Sequence, residues 1–369
     1  MKMRWMFVCL TTLTLLEGCS TPLHEPWQDK LYDLKQGKIQ KVRIIQIGDS
    51  HTAADLFSYA VRKRLQSYFG NGGIGLIAPV NISGQQNISV HQVSTGWQRF
   101  VNRAASKQKP PFGGIMAVAK EPDSETEIFP YHLNPYLQNI HVFFKANTPK
   151  DKLVFKDKER SVSFHPTNEN WQFTQFKGYL PFSISANTGT SLGQIELENQ
   201  KRGVLYSNLG VNGAKLSSLA KWQSNWTTTL KQLHPDLIVL AFGTNEAFNP
   251  QMDIHKETQN WQKQLQKIRH DLPNTSIILV QAPPMNLDKS QCKVPTTLQA
   301  IWEMQKNIAE KYHLRLWSWR NAMGGKCGMY QFQQQGMASQ DGVHLNFKGY
   351  MKTGTAFANY LIHLAHPQK

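Results

Sequence analysis

The sequence predicts an α/β chain: a parallel sheet flanked by helices, interrupted after its first strand-helix unit by a compact, all-β antiparallel module. Two observations predict this. Strand-like apolar runs alternate with stretches of helical periodicity near both ends of the chain. Between residues 76 and 202 that periodicity fades into short alternating runs separated by Gly, Pro and Asn turns. The expected organisation is residues 1–18 as an export leader, 19–75 and 203–369 as two parts of one α/β domain, and 76–202 as the insertion.

In the leader, Lys2 and Arg4 precede the apolar run Trp5 to Leu16, which is short for a bilayer span. "LEGC" then puts Gly18 before Cys19 and looks like a bacterial lipoprotein cleavage site, with Cys19 as the lipidated first residue. Glu17 is unusual there, so plain secretory cleavage stays open. "KVRIIQIGDS" reads as a strand ending at Gly48. "TAADLFSYAVRKRLQSYF" follows with Ala53, Leu56, Phe57, Ala60, Val61, Leu65 and Phe69 at helical spacing, up to a glycine-rich stop in "GNGGIG". Thr52 to Asp55 also fits a capping box.

The insertion is read from "NIHVFFKA", "KLVFKD", "SVSFHP" and "GQIELEN". After it, "GVLYSNLG" is a strand and "AKWQSNWTTTLKQL" a helical stretch. "DLIVLAFG" and "TSIILVQAPP" are continuous apolar runs, as expected of strands buried on both faces. The helices "HKETQNWQKQLQKIRH" and "LQAIWEMQKNIAEKY", the strand "LRLWSW" and a last helix through "NFKGYMKTGTAFANYLIHLA" complete the alternation.

The net charge of +16 is scattered, as in "VRKRLQ" and "KDKER", rather than gathered into a run. That pattern argues against nucleic acid and suits anionic lipid headgroups or the carboxylates of a wall polymer, or simply a solvated basic surface. Cys9 leaves with the leader and Cys19 takes the lipid, so Cys292 and Cys327 remain as a disulfide candidate in an oxidising compartment; two free thiols are the alternative.

Three polar stretches fall after predicted strands: Asp49-Ser50-His51, "GVNG" from Gly210 to Gly213, and Gly243-Thr244-Asn245-Glu246. Open parallel sheets collect ligands at the carboxyl ends of their strands, so these stretches can meet. Asp341-Gly342-Val343-His344 precedes the last helix, and Asp-x-x-His spacing lets a carboxylate orient an imidazole. The chemistry this supports is acyl transfer: Ser50 as nucleophile, His344 as base, Asp341 as its partner. The N–H groups of Ser50 and Gly213 and the amide of Asn245 would serve a developing oxyanion. Each piece alone has a structural explanation as a cap or a turn; the ordered set carries the reading.

The blocks "GDS", "GVNG", "GTNE" and "DGVH" resemble those of the SGNH (GDSL-like) hydrolase superfamily. "IGDSHTAADLF", "GNGGIGLIAP", "GVNGA", "FGTNEAF" and "DGVHLNFKGY" are similar, more narrowly, to the Gram-negative peptidoglycan O-acetylesterases. The resemblance implies Ser50, Asp341 and His344 as a triad, Ser50, Gly213 and Asn245 as the oxyanion hole, and an insertion similar to a carbohydrate-binding module. It further implies removal of 6-O-acetyl groups from muramic acid in O-acetylated peptidoglycan, no metal or organic cofactor, and a periplasmic enzyme held to the outer membrane through Cys19. Glu246 stands where many superfamily members carry Asp, and no catalytic role is assigned to it.

Competing readings use the same residues. Asp49-x-His51 with Glu246, Asp341 and His344 can be read as metal ligands. An inactive, glycan-binding lipoprotein would use aromatics such as Trp97 and Trp171, whose commoner fate is core packing. An acetyltransferase, a lysophospholipase or an esterase of another glycan would keep the triad and change only the pocket.

Overall fold

The computed structural model describes residues 24–102, 108–132, 134 and 136–366; the leader, Cys9 and Cys19 lie outside them. Helix α1 (Pro26–Lys35), strand β1 (Lys41–Gly48), α2 (Ser50–Ala53) and α3 (Leu56–Phe69) come first. The insertion carries β2 (Gly73–Ile77), β3 (Val90–Thr95), β4 (Trp97–Val101), β5 (Ile115–Ala119), β6 (Ser124–Pro130) and β7 (Gln138–Lys145). It continues with β8 (Leu153–Lys156), β9 (Ser161–Phe164), β10 (Gln172–Gly178), β11 (Phe182–Ala186) and β12 (Ser191–Asn199). The α/β part resumes with β13 (Gly203–Gly210), a 3-10 turn (Leu216–Lys221), α4 (Trp226–Lys231), β14 (Leu237–Ala241), α5 (Thr244–Ala247) and α6 (Ile254–Asp271). Last come β15 (Ser276–Gln281), α7 (Thr296–Lys311), β16 (Arg315–Ser318), α8 (Trp319–Ala322), α9 (Gly328–Gln334) and α10 (Phe347–Leu364).

The α/β part is one parallel five-stranded sheet in the order β13-β1-β14-β15-β16. Its central strands β14 and β15 are near-continuous apolar runs because both faces are covered. Ile45, Ile47, Ile238 and Leu240 face a core shared with Trp226, Trp261 and Leu298, on the side of α4, α6 and α7. The alternate residues Val42, Ile44, Leu237 and Val239 face α1, α3 and α10 through Leu31, Phe57 and Phe357.

The insertion is two packed antiparallel sheets, β10-β7-β12-β5-β4 with β2 beside β12, and β3-β6-β11-β8-β9. Strand β7 shows how the insertion is fastened. Ile140, Val142 and Phe144 point into the sandwich core, whereas Phe143 between them joins the core of the parallel sheet. Leu76, Phe112 and Ile115 do the same.

Four local expectations are corrected. The strand β2 begins at Gly73, inside the run read as a helix stop, so it crosses the expected division at 75/76. There the outgoing and returning chains lie backbone to backbone: Gly72 N donates to Val204 O (3.1 Å) and Val204 N to Gly70 O (2.9 Å). A Cβ on Gly203 would fall 2.2 Å from the carbonyl oxygen of Gly70, so the glycines are needed for this close approach.

The first helix is broken at Asp55, whose φ of 55° is left-handed. Its fully buried carboxylate is held by Arg62 Nη2 (2.7 Å), Asn208 Nδ2 (3.1 Å) and the N–H of Ile88 (3.0 Å), which outweighs the backbone cost. The helix α2 is capped by Asp49, accepting from His51 N, and not by a box at Thr52. The stretch around Trp222 is likewise interrupted, where Gln223 N bonds Pro110 O of the insertion (3.0 Å).

Candidate active site

The site is assembled at the carboxyl ends of β1, β13 and β14, where an open parallel sheet leaves a crevice. Backbone bonds stitch these ends together: Asp49 N to Ala241 O (3.3 Å) and Val211 N to Gly48 O (3.0 Å). Ser50 is the first residue of α2, so its side chain leaves the strand end at a fixed angle.

Ser50 Oγ lies 2.9 Å from His344 Nε2, and His344 Nδ1 lies 2.7 Å from Asp341 Oδ2. The other oxygen of Asp341 accepts from the N–H groups of Val343 and His344, both at 2.9 Å. Partial burial would raise the Asp341 carboxyl, but the His344 ring and the two backbone donors outweigh it and hold it below the usual carboxylate range. An ionised Asp341 draws the ring proton to Nδ1, which leaves Nε2 free to accept from the serine hydroxyl.

The turn carrying this pair is held from behind. Asn286 N donates to Gly342 O (2.8 Å), and Asn286 Nδ2 reaches Gln333 Oε1 on α9 (3.0 Å). Cys292 and Cys327 form a disulfide with Cα atoms 5.5 Å apart, joining the same loop to the start of α9.

Gly213 sits exposed in the turn Val211 to Ala214, closed by Ala214 N donating to Val211 O (3.0 Å). Its φ of +76° at the third turn position is what a glycine supplies there. Asn245, on α5, donates from Nδ2 to Ala214 O (2.9 Å), so one amide hydrogen ties it to the Gly213 turn and the second is available.

Glu246, set aside on sequence grounds, is fully buried and closes this arrangement. It accepts from Leu216 N (2.9 Å) and Gly243 N (3.1 Å), clamping α5 to the segment that follows Gly213. Burial pushes its carboxyl up to about 7, against the opposing pull of the Leu216 N–H and its own backbone N–H. Asp49 is buried as well, and burial pushes it up to about 6.

The residues of the metal-ligand reading are not brought into one group. Asp49 caps its helix, and His51 bonds the Tyr350 hydroxyl through Nδ1 (2.9 Å). Burial, then the neighbouring His344 charge, pushes His51 down to about 3, so the ring beside His344 stays neutral. Among the described residues, the group close enough to share an ion is His141, Glu196 and Glu198 in the insertion. Arg43 and Lys41 already stand beside those carboxylates, at 3.6 Å from Glu196 and 3.9 Å from Glu198. Trp97 is buried in the sandwich core, and Trp171 is half-buried against the core of the parallel sheet.

Residues 72–183 match the family model described as peptidoglycan O-acetylesterase, N-terminal, and residues 182–352 the one described as GDSL-like lipase/acylhydrolase family. A solved peptidoglycan O-acetylesterase is similar with a TM-score of 0.86 and 34% identity, over 92% of this chain and 96% of that one. A lipase/acylhydrolase from Enterococcus faecalis gives 0.36 and 17%, over 46% and 80% of the two chains. The acetyl xylan esterase AlAXEase gives 0.34 and 18%, over 43% and 80%. No curated protein matches the chain.

Proposed function

The chain belongs to the peptidoglycan O-acetylesterase family, and from that premise we propose that it removes 6-O-acetyl groups from muramic acid residues of cell-wall glycan. The observation that carries the chemistry is the unbroken chain Asp341–His344–Ser50, with links of 2.7 and 2.9 Å.

His344 Nε2 takes the Ser50 proton as Oγ bonds the acetyl carbonyl carbon. The oxyanion is received by the N–H groups of Ser50 and Gly213 and by the free amide hydrogen of Asn245. Collapse of the tetrahedral intermediate expels the sugar oxygen, which leaves with the proton from His344. Water then gives a proton to His344 as it attacks the acetyl-serine; collapse breaks the bond from Oγ to the acyl carbon, Oγ takes the proton back from His344, and the acid product leaves as acetate and a proton. Asp341 remains ionised throughout and stabilises the imidazolium. The sequence of steps calls on no metal or organic cofactor.

An enzyme of peptidoglycan works outside the cytoplasm. No helix of the described residues is long and apolar enough to cross a membrane. The finer placement, in the periplasm with Cys19 lipid-anchored to the outer membrane, rests on the pattern of the leader.

The test is acetate release from O-acetylated peptidoglycan by the wild type, by Ser50→Ala and by an EDTA-treated sample. Release that EDTA leaves intact and that Ser50→Ala lowers by about 10⁶-fold supports the proposal. Loss of release with EDTA would return the metal reading. Binding to peptidoglycan without any acetate release would leave a binding protein instead.

A further inference from the structure

Next to Ser50 lies a group of buried polar side chains that the acyl-transfer steps do not use. His51 follows the nucleophile directly and is almost wholly buried. Its Nδ1 lies 2.9 Å from the Tyr350 hydroxyl, and the Leu345 N–H faces the oxygen of that hydroxyl. With a donor already on the oxygen, the hydroxyl proton points at Nδ1, and the neutral His51 ring carries its own proton on Nε2.

That Nε2 is buried and closes no hydrogen bond among the described residues. The Thr244 hydroxyl is a second such atom: it stands near enough to the Asp49 carboxyl to favour its charge, but closes no hydrogen bond of its own. His51, Thr244 and Asp49 all line one buried cavity of about 10 Å³. The cavity has room for about one water, and an imidazole N–H, a hydroxyl and a carboxyl are partners enough to hold it. Without it, two buried polar groups would stay desolvated and unpaired. The amides on the same wall are already engaged, Gln46 with Thr52 (2.7 Å) and Gln281 with Ser318 (2.6 Å).

The His51 ring bears on the catalytic base. His344 rides on an exposed turn, with its side chain 38% exposed, so few groups restrain its ring. Asp341 fixes one nitrogen. The His51 ring stands 5.1 Å from the His344 ring and is itself flanked by Trp319 at 5.7 Å. A neighbour that took up a proton would repel the imidazolium formed in each acyl step. Burial keeps His51 neutral and removes that repulsion.

We infer that a single structural water is bound between His51, Thr244 and Asp49, and that His51, held by this water and by Tyr350, is a positioning residue for His344. The inference rests on the triad chemistry proposed above and adds what keeps the base in line with Ser50.

Two measurements test it. A high-resolution crystal structure of the wild type should show one ordered water within hydrogen-bond distance of His51 Nε2 and of Thr244 Oγ1 or Asp49. A dry cavity, or an Nε2 that meets a protein acceptor instead, would overturn the water site. The second measurement is turnover of a small chromogenic acetate ester, expressed per serine that a sulfonyl fluoride labels to completion, so that any misfolded fraction drops out. His51→Ala should lower kcat about 10- to 100-fold with KM within about twofold, and Tyr350→Phe, which keeps the ring but frees Nδ1, about threefold to tenfold. His51→Gln, whose amide N–H reaches toward the water, should recover at least about fivefold over His51→Ala. Unchanged kcat per labelled serine in His51→Ala, or a His51→Gln no faster than His51→Ala, would overturn the positioning role. A wild type inert to the ester would remove the esterase reading and the inference with it, whereas an active wild type matched by His51→Ala removes the inference alone.

Discussion

Ser50 stands between two regions built on opposite terms. On the side of the parallel sheet, the polar groups that frame it are committed to partners in the fold. Asp341 accepts three hydrogen bonds and Glu246 two, while Asp55 is held by a guanidinium, an amide and a backbone N–H. Across the cleft beside α2, in segment 81–92 and Tyr131 of the insertion, Ser83, Gln86 and Tyr131 are exposed to solvent. The contrast separates two tasks. Groups that move a proton or stabilise charge gain from being fixed before the substrate arrives. Groups that recognise a ligand must still have hydrogen bonds left to make.

If the contrast is right, changes on the sheet side cost rate or stability whatever the ester, and changes on the cleft side register only with polymer. The largest test short of removing the nucleophile is Asp341→Asn. An amide facing His344 Nδ1 donates to it and forces the proton onto Nε2, the atom that must accept from Ser50. kcat on a small chromogenic acetate ester should fall about 10⁴-fold with little change in KM. A fall under tenfold would show that His344 is oriented by something else.

Asp55→Ala comes next. It leaves Arg62, which is 3% exposed, without its anion, and a buried ion stripped of its partner costs about 3–5 kcal/mol. The loss is read from the urea midpoint, and an unmoved midpoint would break the picture of a prepaid sheet side. Asn245→Ala removes one oxyanion donor and should lower kcat by roughly 10²–10³-fold on polymer and small ester alike. A loss seen on polymer only would move Asn245 to the recognition side.

The smallest effect concerns Glu246 and pH. Its carboxyl is raised from 4.5 to about 7, first by burial, with the charges of Asp49 and Glu257 adding to it. In that window the folded chain keeps a proton that the unfolded chain has lost, so the contribution of Glu246 to stability is complete below about pH 4.5 and is lost as pH rises through about 7. Glu246→Gln cannot ionise, so its stability should fall less than that of wild type between about pH 5 and about pH 8. Asp49 contributes a slope of the same sign in both proteins, up to about pH 6. Parallel urea-stability curves for the two proteins would remove Glu246 from this account.

What was legible in the sequence divides along the same line. Strands β14 and β15 show as continuous apolar runs because both faces are buried, and Ser50, Asp341 and His344 show because each sits in a short motif at a strand end or before a helix. The break at Asp55 did not show, because helical periodicity runs straight through it and two of the partners that hold the carboxylate, Asn208 and Ile88, are remote in sequence. Strand β2 was hidden by its glycines, which are chosen for a close backbone approach and carry no alternation. Glu246 reads as a variant letter in a motif until Leu216, thirty residues earlier, is seen to donate to it. The cleft beside α2 has no motif at all: amides, hydroxyls, two histidines and apolar residues from separate segments line it together, and only the fold assembles them.

Phe143 between Val142 and Phe144 is a small feature with a large consequence. A sugar-binding module hung on a flexible linker acts by avidity: it raises the effective concentration of enzyme near a polymer and leaves the angle of approach to chance. A sheet that sends alternate side chains into the core of the catalytic part has no such freedom. Fused in this way, the insertion keeps one distance and one orientation relative to Ser50, as the arm of a fixed jig does rather than a tethered float.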